Sequence, residues 1–206
     1  ILVYISRLEK LLIMKNSILY HYKESLKVIT DLKSHLPKIE KISKILINKI
    51  KSKKNIFVYG NGGSYADSSH FVGELTATYL KKNRKGLPFL LLSSNVAALT
   101  AWSNDFKFED YLRREFSIFA NKGDLLILFS TSGGDTNNKQ SVNLIKLAKY
   151  AKSKNIQTIS FLGKGGGALK QLSKDSIIIN SKNTGSIQEA HKVIMHSICN
   201  YLDDFF

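Results

Sequence analysis

Two stretches far apart in the chain carry side chains able to bind a metal or move protons. His70 and Glu74 lie four residues apart in a segment with helical spacing, so they share a helix face. The second stretch is Ile187-Gln188-Glu189-Ala190-His191-Lys192-Val193-Ile194-Met195-His196, which sets polar groups on an otherwise apolar helix. Glu189 and His196 are seven apart, and Gln188 and His191 are three apart. Gln188 and His196 are about 80° apart around the axis, still one broad face. Spacing alone leaves the choice among these pairs open.

Three other runs suit a phosphate or a sugar. Gly60-Asn61-Gly62-Gly63-Ser64 follows the apolar Phe57-Val58-Tyr59 and opens a helix. Glycines admit close backbone approach, and a helix start offers amides and a positive dipole end to an anion. Ser130-Thr131-Ser132-Gly133-Gly134 follows Ile127-Leu128-Phe129, so three hydroxyls and flexible amides gather at another strand end. Gly163-Lys164-Gly165-Gly166-Gly167 is the third run. None matches the P-loop or the dinucleotide fingerprint, which disfavours a nucleotide. A hydroxyl-rich cradle without arginine suits a small sugar phosphate.

The elements that must position these groups alternate. Helical spacing covers 1–28, with Leu8, Leu12 and Leu19 on one side, and 36–52, where Pro37 suits the first turn. Short apolar strands are expected at 55–59, 89–92, 124–129, 156–162 and 176–179. Helices are expected at 64–81, 95–103, 106–120, 138–153, up to about 173 and 185–205. Strands that are apolar almost throughout belong to a parallel sheet buried on both faces. The expectation is one α/β domain over 1–206: a helical pair at 1–52, then a three-layer core at 53–206 with five parallel strands. Ligands bind such folds at the C-terminal strand ends, near a switch in strand order.

The 206 residues, 43% of them hydrophobic and only two proline, read as globular. The net charge of +15 favours anionic partners, yet the lysines spread along helix faces and are not gathered with aromatics into a nucleic-acid motif. Nucleic acid is therefore not the expected partner. Cys199 is the single cysteine, which excludes an intrachain disulfide and fits a reducing, cytoplasmic setting. No apolar run reaches the length of a membrane helix. Arg7, Glu9, Lys10 and Lys15 argue against a secretory signal in the first twenty residues.

Taken together, Gly60-Asn61-Gly62-Gly63-Ser64 with His70 and Glu74-Leu75-Thr76, Asn104-Asp105, Ser130-Thr131-Ser132-Gly133, Gly163-Lys164 and Ile187-Gln188-Glu189-Ala190-His191 with His196 resemble the phosphoheptose isomerases. These are sugar isomerase (SIS) domain proteins that convert sedoheptulose 7-phosphate to glycero-manno-heptose 7-phosphate. The resemblance spans about 1–206. It implies a flavodoxin-like core, a homotetramer with active sites shared between subunits, a phosphorylated ketoheptose substrate and a role in surface-polysaccharide heptose synthesis. It implies one zinc per subunit, held by His70, Glu74, Gln188 and His196, with Glu74 and His196 as the proton-transfer pair. The implied substrate-binding set is Asn61, Gly62, Gly63, Ser64, Glu74, Asn104, Asp105, Ser130, Thr131, Ser132, Ser141 and Gln188.

Some positions depart from the family pattern. Asp135 stands where the family has a serine, and Ser141 becomes the matching serine only if 133–139 hold extra residues. Asn95 replaces an aspartate, and Thr78 and Ser186 replace arginines. These changes remove charges expected around substrate. The alternative reading is a non-catalytic SIS-domain module of the kind that partners a replication initiator.

Overall fold

A computed structural model describes the backbone from Leu2 to Phe206 and side chains from Met14 onward. The apolar positions Leu8 and Leu12 lie outside the described side chains. Two helices come first, α1 (Leu2–Asp31) and α2 (Leu36–Lys51), joined by a 3-10 turn at Leu32–His35. Five strands follow: β1 (Ile56–Gly60), β2 (Phe89–Leu91), β3 (Leu125–Ser130), β4 (Gln157–Gly163) and β5 (Asp175–Ile179). The helices between and after them are α3 (Gly63–Thr76), α4 (Val96–Asp105), α5 (Phe108–Phe119), α6 (Val142–Ser153), α7 (Gly167–Leu172) and α8 (Thr184–Phe205).

All strand pairings are parallel, in the order β2-β1-β3-β4-β5. The order reverses at β1, so the switch point lies between the C-terminal ends of β1 and β3. Two clusters pack the sheet's opposite faces. Ile56, Val58, Ile127, Phe129, Phe161 and Ile177 meet α1, α2, α3 and α8 on one side. Phe57, Tyr59, Leu126, Leu128 and Leu162 meet α5, α6 and α7 on the other. Alternate strand residues thus feed alternate layers, as a doubly covered parallel sheet requires.

The two largest differences from the expected helix boundaries, at the end of α3 and the start of α6, each have a tertiary reason. α3 stops at Thr76 rather than near 81, because buried Arg84 caps it: its guanidinium donates to the carbonyls of Glu74 and Leu75. Arg84 is itself held by Asp203 of α8, whose carboxylate also accepts the amides of Leu80 and Lys81. Burial alone would raise this carboxyl, but those donors outweigh it and hold it below the usual carboxylate range. α6 starts at Val142 rather than 138. Asp135 and Gln140 pair their backbones in both directions, at 2.9 and 2.8 Å, and the Asp135 carboxylate accepts the amides of Asn137 and Asn138. The extra residues therefore form a closed turn instead of a first helical turn.

Cutting the Arg84–Asp203 clamp leaves a buried charge without its partner. Arg84→Leu should lose about 3–5 kcal/mol of stability. A urea unfolding midpoint equal to that of the unmodified chain would remove the clamp from this account.

Candidate functional site

The first glycine turn packs too tightly for side chains. A Cβ on Gly60 would lie 2.5 Å from the Ser64 carbonyl oxygen, so the end of β1 reaches α3 only through glycine. Gly62 sits at φ 55° with open space beside it, which presents bare backbone outward. The amides of Ser64 and Tyr65 close onto the carbonyls of Asn61 and Gly62, so the turn itself consumes part of the helix-start donor set. Asn61 and Asn143 of α6 exchange two side-chain hydrogen bonds, at 2.9 and 2.8 Å. This amide pair ties the first loop to the helix that follows the second. Asn143 drew no notice in the sequence, since one Asn inside a helical run has no distinctive spacing.

In the second loop the hydroxyls face their own backbone. Ser130 Oγ accepts the Gly133 amide at 3.1 Å, and Ser132 Oγ accepts the Gly134 amide at 3.2 Å. The two oxygens are 3.5 Å apart, so one hydroxyl can donate to the other while its partner's proton stays available. Thr131 and Ser132 are half-buried, at the C-terminal end of β3 beside the switch point. Ser141 returns the chain after the closed turn in the left-handed region, at φ 52°.

The third glycine run is not an anion cradle. The amides of Ala168 and Leu169, in the first turn of α7, donate to the carbonyls of Gly134 and Gly133. A Cβ on Gly167 would meet the Gly134 oxygen at 2.4 Å, and one on Gly133 would meet the Gly166 oxygen at 2.1 Å. This run braces the second loop from behind. Its own helix-start amides are spent on that task.

Asn104 and Asp105, on the last turn of α4, are exposed and bonded to each other at 2.9 Å. Asp105 and Asn95 line a cavity of about 580 Å³ between α4 and α5 with Trp102, Phe106 and Tyr111. Among the described residues, no hydrogen bond or ion pair joins Asn104 or Asp105 to the glycine loops.

The proton-transfer and metal candidates lie on the opposite sheet face, where α3 and α8 pack together. Their contacts step along both helices in the same direction: Gly63 with Gln188, Asp67 with Lys192, His70 with His196. Glu74 Oε1 lies 2.9 Å from His70 Nε2. The rings of His70 and His196 meet edge to face at 5.1 Å, and Tyr79 stacks on His196 at 5.8 Å. Burial lowers the pKa of His196, and His70 pushes the same way against Glu74, so this imidazole is neutral at physiological pH. The structure thus gathers His70, Glu74 and His196.

Gln188 stands apart from them. A Cβ on Gly63 would fall 2.1 Å from Gln188 Nε2, so the amide is seated on the first glycine turn. That is two helical turns, about 12 Å of axis, from His196. His191 points the other way. It is fully buried between Phe129 and Phe161, with Nε2 3.4 Å from the Leu162 carbonyl, and burial pushes its pKa down to about 4. Glu189 faces α1, with its carboxylate 3.0 Å from His21. The pairs that spacing left open therefore divide: His196 joins His70 and Glu74, while His191 belongs to the core.

Two imidazoles and a carboxylate are suitable donors for zinc. Among the described residues no three His, Cys, Asp or Glu side chains already surround one metal position. The nearest approach is the His70–Glu74 pair, whose 2.9 Å hydrogen bond is shorter than the roughly 3.3 Å between two donors on one tetrahedral zinc. The three residues suit zinc by donor type, and the His70–Glu74 hydrogen bond would have to open for both to hold one ion.

The loops and this triplet occupy opposite ends of α3. Ser64 and Glu74 are separated by about 15 Å of helix axis.

Residues 21–163 match the SIS domain family model. A phosphoheptose isomerase from a Nitratiruptor species is 39% identical over 193 residues, covering 94% of this chain and 98% of that relative. A probable phosphoheptose isomerase from Thermoplasma volcanium is 39% identical over 82% of each chain. Among solved structures, a phosphoheptose isomerase from Francisella tularensis superposes with a TM-score of 0.84 at 25% identity, over 92% of this chain and 97% of that one. Another, from Neisseria gonorrhoeae, gives 0.82 at 26% identity, over 93% and 99%. By sequence and by fold, this chain belongs to the phosphoheptose isomerase family of SIS-domain proteins.

Proposed function

We propose that this protein isomerises sedoheptulose 7-phosphate to D-glycero-D-manno-heptose 7-phosphate, the step that supplies heptose for surface polysaccharide. One observation carries the reading: His70, Glu74 and His196 come from helices over a hundred residues apart and meet on one open face. A non-catalytic module has no use for that meeting, which counts against the scaffold alternative even with Asn95, Thr78 and Ser186 in place of charged residues.

Ser130, Thr131 and Ser132 donate hydroxyl protons to the phosphate, and Ser64, with the bare backbone of Gly62, closes around it. Asn61 is held by Asn143 and contacts the sugar with the capacity that pair leaves over. Asn104, Asp105 and Ser141 complete the sugar contacts. Glu74 takes the proton from C1 of the ketose. The C–H electrons form the C1–C2 double bond, and the carbonyl electrons move onto O2. His196 moves a proton from O1 to O2, and the proton from C1 returns to C2, leaving an aldehyde at C1. His70, Glu74 and His196 would hold zinc, and Gln188 would join them only by leaving Gly63. Zinc bound there would supply Lewis-acid chemistry at the carbonyl.

The separation of about 15 Å between loops and triplet supports a site completed by two subunits, the loops of one meeting the triplet of another. The exposed apolar residues of α1, Ile18, Leu19, Tyr20, Tyr22 and Leu26, support a homotetramer assembled through the N-terminal helices. Among the described residues no helix is long and apolar enough to cross a membrane. A cytoplasmic enzyme fits this reading.

A coupled assay with sedoheptulose 7-phosphate tests the activity, and absence of turnover with and without zinc would overturn it. Ser132→Ala should raise KM for the phosphorylated sugar about tenfold, the value of one hydrogen bond to a charged group. An unchanged KM would take Ser132 out of the site. His196→Ala should abolish turnover and lower zinc content, read by metal analysis of protein purified without chelator. Retention of both would refute its assignment. Sedimentation should give a tetramer, and a stable monomer would contradict the shared site.

A further inference from the structure

Between the Gly63–Gln188 contact and the His70–His196 contact, the α3/α8 seam holds one more pair. Asp67 of α3 is only 2% exposed. Its Oδ2 is buried with no hydrogen-bond partner, and its Oδ1 lies 3.8 Å from Lys192 Nζ, outside hydrogen-bond length. A buried carboxylate in this state is costly. The same chain contains a finished counterpart: Asp203 accepts from Arg84, Leu80 and Lys81 and is covered with its partner. Asp203 behaves as a structural ion pair, whereas Asp67 is held open.

Lys192 is one helical turn from Gln188 on one side and one from His196 on the other, about 6 Å of axis each way. Its side chain is 54% exposed, on the face where His70 is 42% exposed and Glu74 24%. The ammonium therefore stands in the open beside the proton-transfer pair, anchored from below by a carboxylate that does not neutralise it through a closed contact. Its field opposes the rise that burial imposes on the Asp67 carboxyl. An ammonium so placed suits negative charge that develops on substrate, and in an aldose–ketose isomerisation that charge falls on the enediolate oxygen.

We propose that Lys192 contacts substrate and pairs with the negative charge that grows on O2 as the C1 proton leaves, and that Asp67 is the residue that positions it. This rests on the isomerase reading. No bond to Lys192 forms or breaks; its N–H donates to the oxygen while the proton moves between carbons.

The test uses the full chain with zinc and sedoheptulose 7-phosphate, comparing Lys192→Met, Lys192→Arg and Asp67→Asn. Melting temperature, sedimentation and metal content are read alongside. Lys192→Met should lower kcat about a hundredfold with KM changed little, the usual loss when one oxyanion donor goes. Lys192→Arg should restore most of the rate, and Asp67→Asn should lower kcat about tenfold without a change in metal content. Wild-type turnover with an unchanged rate in Lys192→Met overturns the proposal and leaves the isomerase reading standing. Equal losses in Lys192→Met and Lys192→Arg that track a lower melting temperature make the pair structural and overturn it too. If the wild-type chain does not turn over, the isomerase reading fails and the proposal falls with it.

Discussion

The parallel packing of α3 on α8 is the contact on which the rest depends. It exists because Gly63 has no side chain, which lets the Gln188 amide sit on the start of α3. From that point the two helices descend the sheet together and bring residues over a hundred positions apart into successive pairs. The lower end is fixed by Arg84, which caps α3 and binds Asp203 of α8. Between these two fastenings the apolar side of the seam is filled by Phe71, Leu75, Ile194 and Ile198, leaving a polar side that faces outward.

The other half of the site depends on β1 and β3 lying side by side with their ends open. The reversal in strand order sets the loops after Gly60 and Ser130 side by side at the switch point. Each loop is stiffened by something that is not ligand. Asn61 and Asn143 link the first to α6, and α7 spends its leading amides on the second. A site made rigid before binding loses less entropy when it closes on a phosphate.

Much of this was legible in the chain because of its simplest signals. Unbroken apolar runs such as Leu125–Phe129 admit only a doubly buried strand, and the five strands appear within one or two residues of where those runs place them. The loops announced themselves through glycine beside hydroxyl. What stayed hidden was whatever depends on a distant partner. Nothing local shows that Arg84 ends a helix eight residues earlier, or that 135–140 closes on itself. Periodicity could not separate His191 from His196, because both fall on α8 and only the sheet decides which side is inside. Asp67 and Lys192 gave no signal at all; each alone is an ordinary helical charge.

The closed turn at Asp135–Gln140 also bears on how this scaffold tolerates change. The chain enters and leaves it at the same backbone pair, so its length is decoupled from the positions of Gly134 and Ser141. Lengthening such an excursion costs little in closure entropy. Added residues can be housed there, at the rim of the loop after β3, without shifting β3 or α6.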